Sequence, residues 1–350
     1  MGVLKKIPLK VSLSQAALLL MMALVVVFYL LHTDPGNSEN RKVVHPGFGI
    51  LRPPGEVYAM ALQGDFIWAG GVDGLYMIDA VSRRVVLSPD KNAGLKYVRA
   101  LLVDSGGVLW VGHDRGISRY KDGVWDTLTK DDGLPDNRVI SLMQDGNGRV
   151  WAGTWYGAAV FGRGNGKPVI YTVKAGLSDN MVNVMLADSR GGLWFGSYNT
   201  QTGGLSYLSP GGQWSYFSTN NGLLHNYVTS LFEDDGGNIW AGTGFFDTGG
   251  VSVFVFRGNT WSVDRSMTKK DGLAGEKVRS VFQDKSGRMW LGSEYDGITV
   301  LEKGKREIFT VEDGLSGNEV KSMLQDRQGN IWLGTGNGIT VIDASALEGR

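Results

Sequence analysis

Few side chains in this chain can do acid–base or metal chemistry. It has 350 residues, no cysteine and four histidines: His32, His45, His113 and His225. The lack of cysteine excludes disulfides, thiolate metal sites and a cysteine nucleophile. His113 and His225 could meet Glu294, and a His/Glu set on a divalent metal would serve a lyase or hydrolase. No motif joins a nucleophile, a base and an orienting group. The expectation is therefore no catalytic residue, no metal site and no cofactor. A second group of residues suits recognition instead. It comprises His113 and Arg115, Trp155 and Tyr156, Tyr198 and Asn199, Phe245 and Phe246, and Glu294, Tyr295 and Asp296. Aromatic rings mixed with a few polar groups make a binding surface on which a sugar or a peptide could be held.

The elements that must position these residues are written in a repeat. Trp, one residue, Gly occurs at Trp68, Trp110, Trp151, Trp194, Trp240, Trp290 and Trp332, at intervals of 41 to 50 residues. Strand-length runs separated by Gly-rich turns at that period indicate a seven-bladed β-propeller, all-β, with one four-stranded sheet per repeat. Trp and Gly two apart face the same side of a strand. The indole is expected to wedge between blades while the Gly admits a neighbour. Two residues after its first Val, each inner strand carries a small residue: Ala59, Ala100, Ser141, Val184, Ser230, Ser280 or Ser322. Seven strands crowd the axis, so these read as packing residues. Asp-x-x-Gly turns at Asp104, Asp145, Asp188, Asp284 and Asp326, with Asp234 or Asp235 in the fifth repeat, read as hairpin turns rather than calcium loops. The candidate recognition residues fall in the loops between second and third strands, which differ from copy to copy. Just before the first strands stand Glu56, Tyr97, Arg138, Met181, Tyr227, Lys277 and Glu319, expected at the channel mouth. The seventh repeat lacks a fourth strand after Asp343. Lys42–His45 is expected to supply it and to close the ring, which would otherwise leave an open sheet edge.

The N-terminus reads differently. Lys5, Lys6 and Lys10 precede Val11–Leu31, whose polar residues are Ser12, Ser14 and Gln15. That length matches a membrane-spanning helix, and the lysines place its start in the cytoplasm. A cleaved signal peptide is the alternative, but no small-x-small site follows. The expected organisation is a cytoplasmic segment (1–10), a signal anchor (11–31), a linker (32–40) and the propeller (41–350). The propeller would lie outside a bacterial inner membrane crossed once. Lys+Arg and Asp+Glu both number 35, so the chain has no basic surplus of the kind nucleic acid requires.

Asp132-Gly133-Leu134-Pro135-Asp136-Asn137-Arg138-Val139-Ile140-Ser141-Leu142, then Asp145-x-x-Gly148 and Val150-Trp151-Ala152-Gly153-Thr154, resembles the two-component-regulator propeller repeat. Glu312–Ser322 followed by Asn330–Thr335 resembles it too. The resemblance implies a periplasmic, ligand-sensing propeller of the type found in membrane histidine kinases, some of which respond to glycans. No connector domain or kinase follows before Arg350, so a signal is expected to pass to a separate signalling or envelope protein. Three readings stay open: a membrane-anchored recognition module for an oligosaccharide or peptide, a propeller lyase or hydrolase, and a scaffold in an envelope complex.

Overall fold

Each repeat folds into a four-stranded antiparallel sheet because its strands alternate between two buried faces and are separated by glycine turns. The structure is a computed structural model, and it describes residues 45–88, 95–162 and 166–347. Among these residues seven such sheets form. Blade 3 is typical, with strands Val139–Gln144, Val150–Thr154, Gly157–Phe161 and Val169–Tyr171. The first strands of successive blades touch one another in order, and that of blade 7 touches that of blade 1. The ring is therefore closed around the first strands.

Packing between blades follows the Trp-x-Gly motif. Trp194 of blade 4 buries completely among Val228, Ile239, Ala241 and Phe254 of blade 5. The glycine two residues on leaves space for the next blade's first valine. A Cβ on Gly70 would stand 2.3 Å from Val98 Cγ1, and one on Gly334 would stand 2.8 Å from Val57 Cγ1. The small residues of the inner strands sit opposite these glycines in register, as Ser141 does opposite Gly153.

The Asp-x-x-Gly turn does more than reverse the chain. In blade 3 the Asp145 carboxylate accepts from the backbone N–H groups of Asn147 and Arg149 and, at 2.9 Å, from Trp151 Nε1. Burial pushes its pKa up, but the indole and Arg149 outweigh that and hold it below the usual carboxylate range. The same indole-to-carboxylate bond recurs for Trp110, Trp194, Trp240, Trp290 and Trp332. Blade 1 replaces the aspartate with Gln63, which accepts from Trp68 Nε1 at 2.8 Å. The turn thus fixes the wedge, a link that turn chemistry alone did not disclose.

Between blades, short 3₁₀ turns carry their own caps. Thr129 caps Lys130–Asp132, Gly133 ends the turn in the left-handed region, and Leu134 drops into the core. Asn137 Oδ1 closes the turn by accepting from Lys130 N–H.

The closing strand exists, but not where the sequence suggested. Phe48–Leu51 pairs antiparallel with Gly338–Ile342 and completes blade 7. Of the expected Lys42–His45, residues 42–44 lie outside the described residues, and His45 precedes the strand in a loop. The apolar content decides the register. Phe48 packs into the cluster of blades 6 and 7, and Leu51 into that of blades 7 and 1. The His45 ring instead lies 5.5 Å from Phe48 and 5.3 Å from Phe309, and His45 N–H donates to Asp313 O. The Val11–Leu31 span also lies outside the described residues. Among those described, no helix is long and apolar enough to cross a membrane.

Candidate functional site

Each blade opens on a buried valine: Val57, Val98, Val139, Val182, Val228, Val278 or Val320. The next residue is the small residue's neighbour, and in five blades the strand register slips there. The slips fall between Val139 and Ser141, Val182 and Val184, Val228 and Ser230, Val278 and Ser280, and Val320 and Ser322. A β-bulge adds an unpaired residue and re-aims its side chain. The residues so placed are Ile140, Asn183, Thr229, Arg279 and Lys321. Tyr58 and Arg99 occupy the same position in blades 1 and 2. All seven line one cavity of about 500 Å³.

First strands begin where second strands end, so this cavity opens on the face that carries the second-to-third-strand loops. Arg138, Trp155, Tyr198, Tyr227 and Asp114 complete its lining. The aromatic side is continuous. The Arg138 guanidinium stands 4.1 Å from the Trp155 ring centre, Trp155 stacks on Tyr198 at 6.1 Å, and Tyr198 meets Tyr227 at 4.4 Å. Tyr227 then contacts Phe245 at 6.0 Å, and Phe245 contacts Phe246 at 4.3 Å. Burial, with Tyr198 beside it, pushes the Tyr227 hydroxyl well above its usual range. Across the mouth, burial and the Glu56 carboxylate push Tyr58 up to about 12. Asn183 and Thr229 each donate to the next blade's backbone, at Val228 O and Val278 O.

The sequence candidates divide. Trp155 and Tyr198 line the cavity, and Phe245 and Phe246 extend its aromatic side to the rim. Tyr156 is exposed on its turn, outside the lining, and Arg115 is exposed beside His113. Asn199 folds its own loop, accepting from Gln201 and Thr202 N–H and donating to Asp179. Glu294 pairs with Lys277 and accepts from Tyr295 Oη. Burial opposes its ionisation, yet Lys277 holds it below the usual range. Asp296 approaches Lys269 at 3.6 Å.

His113 is buried under its turn. Its Nδ1 accepts from Arg115 N–H, so Nε2 bears the proton and donates to Ser118 Oγ. Burial first, then Arg115, lowers its pKa to about 4. His225 Nδ1 accepts from Tyr227 N–H, and burial and Lys277 lower its pKa. Among the described residues no three His, Asp or Glu side chains gather in a way that could hold a metal ion.

Sequence reasoning missed the seven bulge-position residues. It named the positions before the valines, of which Arg138 and Tyr227 line the cavity. The available signal was variation beside constancy: one invariant valine, one variable residue, one small residue, repeated seven times.

Five segments, 133–156, 176–199, 222–245, 272–295 and 314–337, match the family described as two component regulator propeller. No curated protein sequence matches the chain. Among solved structures, it resembles the extracellular domain of a B. thetaiotaomicron protein assigned as a hybrid two component system. The two are 23% identical with a TM-score of 0.73, over 85% of this chain and 41% of that one. It also resembles PorZ, a bacterial surface component of the type-IX secretion system of Porphyromonas gingivalis, at 17% identity and TM-score 0.66, over 84% and 47%. Virginiamycin B lyase from Staphylococcus aureus matches at 14% identity and TM-score 0.65, over 85% and 98%. At these identities the likeness is one of fold. The chain spans about two fifths of the length of the extracellular domains it resembles.

Proposed function

For a chain that belongs to the two component regulator propeller family, we propose an extracytoplasmic recognition module of sensor type that binds a soluble ligand at the channel mouth. The observation that carries this is the mouth itself. A constant framework directs seven variable side chains into one cavity, and the loop aromatics Trp155 and Tyr198 wall it. Its volume lies within the range of small-ligand pockets. The fold shared with extracellular domains assigned to two component systems supports the same reading. An anchor at residues 11–31 would hold the module at a membrane. A catalytic reading has less support, because His113, His225 and Glu294 are each tied into their own loop or ion pair.

The test is a thermal-shift screen with neutral and charged oligosaccharides and short peptides, run on the chain and on a Trp155→Ala/Tyr198→Ala double variant. A ligand at a hundred times its Kd stabilises by about 2.7 kcal/mol, which raises the Tm of a domain this size by at least a couple of degrees. The expected result is such a shift in the parent, lost in the double variant, while the unliganded Tm changes little. Ligands that shift both proteins equally would overturn the site. A screen with no shift at all would favour the rim as a protein-docking surface.

A further inference from the structure

The polarity of the channel mouth narrows what that proposed site takes. Among the described residues lining the cavity, Arg99, Arg138, Arg279 and Lys321 are cations, and Asp114 is the one carboxylate. Of the four lining rings, Trp155, Tyr198 and Tyr227 stand on blades 3 to 5 and Tyr58 on blade 1. Arg279, Lys321 and Arg99 stand on blades 6, 7 and 2. Tyr58, between the last two, holds both heads: Lys321 Nζ lies 4.5 Å and the Arg99 guanidinium 5.6 Å from its ring centre. Such contacts favour a cation over the ring face.

The partners of these cations mostly stand back from the opening. Lys321 pairs with Glu56 and Glu319, neither of which lines the cavity. Arg99 is held by Asp114 at 2.7 Å. Arg279 reaches Glu319 at 3.7 Å, longer than a hydrogen bond, so its planar fork has room for a better acceptor. Arg138 likewise has Asp136 at 3.3 Å, so the cations are matched by carboxylates, and an incoming anion gains by competing with Glu319 for Arg279, the most loosely held of the four.

We propose that the mouth binds a small ligand through an oxyanion, a carboxylate or its sulfate or phosphate equivalent, received by Arg279 and Lys321. The ligand's body then lies against the Tyr198–Tyr227 side. This rests on the recognition reading above and adds the chemistry of the ligand.

The experiment is calorimetric titration of the full chain with pairs of probes alike except for the anion. The pairs are oligogalacturonate and its methyl ester, trialanine and its C-terminal amide, and glucose 6-sulfate and 6-phosphate each against glucose. The expected result is that the anionic member of at least one pair binds at least about tenfold more tightly, because charge-assisted bonds are the stronger class. That preference should weaken as salt rises. Arg279→Gln should erase it without lowering the Tm, and Arg279→Lys should restore part of it. Which pair responds separates carboxylate from sulfate and phosphate. Neutral members binding within twofold of the anionic ones, or a preference that survives Arg279→Gln, would overturn the proposal. Neutral binding that Trp155→Ala/Tyr198→Ala abolishes would then leave the recognition reading standing alone. No binding by any member of any pair would overturn both.

Discussion

His113 shows how one position can pass for chemistry and serve the framework. The residue that follows Trp-x-Gly in the second strand is Thr154 in blade 3, Thr243 in blade 5 and Thr335 in blade 7. Thr154 Oγ1 and Thr335 Oγ1 each donate to a carbonyl across the following turn, at Gly157 O and Gly338 O. His113 stands at that place in blade 2, also turned inward, with Ser118 as its partner. Its pKa of about 4 in the fold lies below the ordinary 6.5. The unfolded chain therefore binds the proton more readily between those values, and stability falls as pH drops through that window. The full difference is roughly 3 kcal/mol. His113→Thr is expected to be more stable than the parent near pH 4.5, with a flatter profile from pH 6.5 to 4. Urea unfolding across that range checks it, and parallel profiles would show that His113 does not titrate in this way.

At the scale of the element, the Asp turn and the Trp wedge act as one unit. Asp284 is buried and accepts from the N–H groups of Ser286 and Arg288, from Arg288 Nε and from Trp290 Nε1. Asp284→Ala would leave the buried Arg288 guanidinium without its carboxylate, and breaking such a pair costs about 3–5 kcal/mol. Gln63 in blade 1 makes the neutral version of the indole bond from a less buried site. Gln63→Ala should cost only about 1 kcal/mol. Equal losses in urea midpoint for the two variants would contradict the charge-assisted account.

For the whole molecule, closure rests on Phe48–Leu51, which joins the start of the described chain to its last sheet strand. Arg83 reaches across the same seam to Asp343. A chain beginning at residue 47 keeps the strand and should melt within a few degrees of the full chain. One beginning at residue 53 loses the pairing and the partly buried Phe48 and Leu51, and its Tm should fall by about 10 °C. Similar melting temperatures for the two would mean that the ring holds without its clasp.

The sequence by itself determined the number of blades, the tryptophan wedges, the small inner-strand residues and the need for a borrowed strand. All of these are enforced by packing that recurs in each copy, so repetition exposes them. It also marked Trp155 and Tyr198, because loops that vary between copies stand out against a constant frame. Tertiary structure alone decided the rest. A bulge is a property of two strands in register, so Arg279 and Lys321 could not be aimed at the axis from their own segments. Phe48–Leu51 replaced Lys42–His45 because a closing strand must fill the apolar clusters of two distant blades. The burial of His113 and the pairing of Glu294 with Lys277 likewise depend on what folds over them. Local pattern fixes which face of a strand is buried; only the closed ring fixes which side chains meet at its mouth.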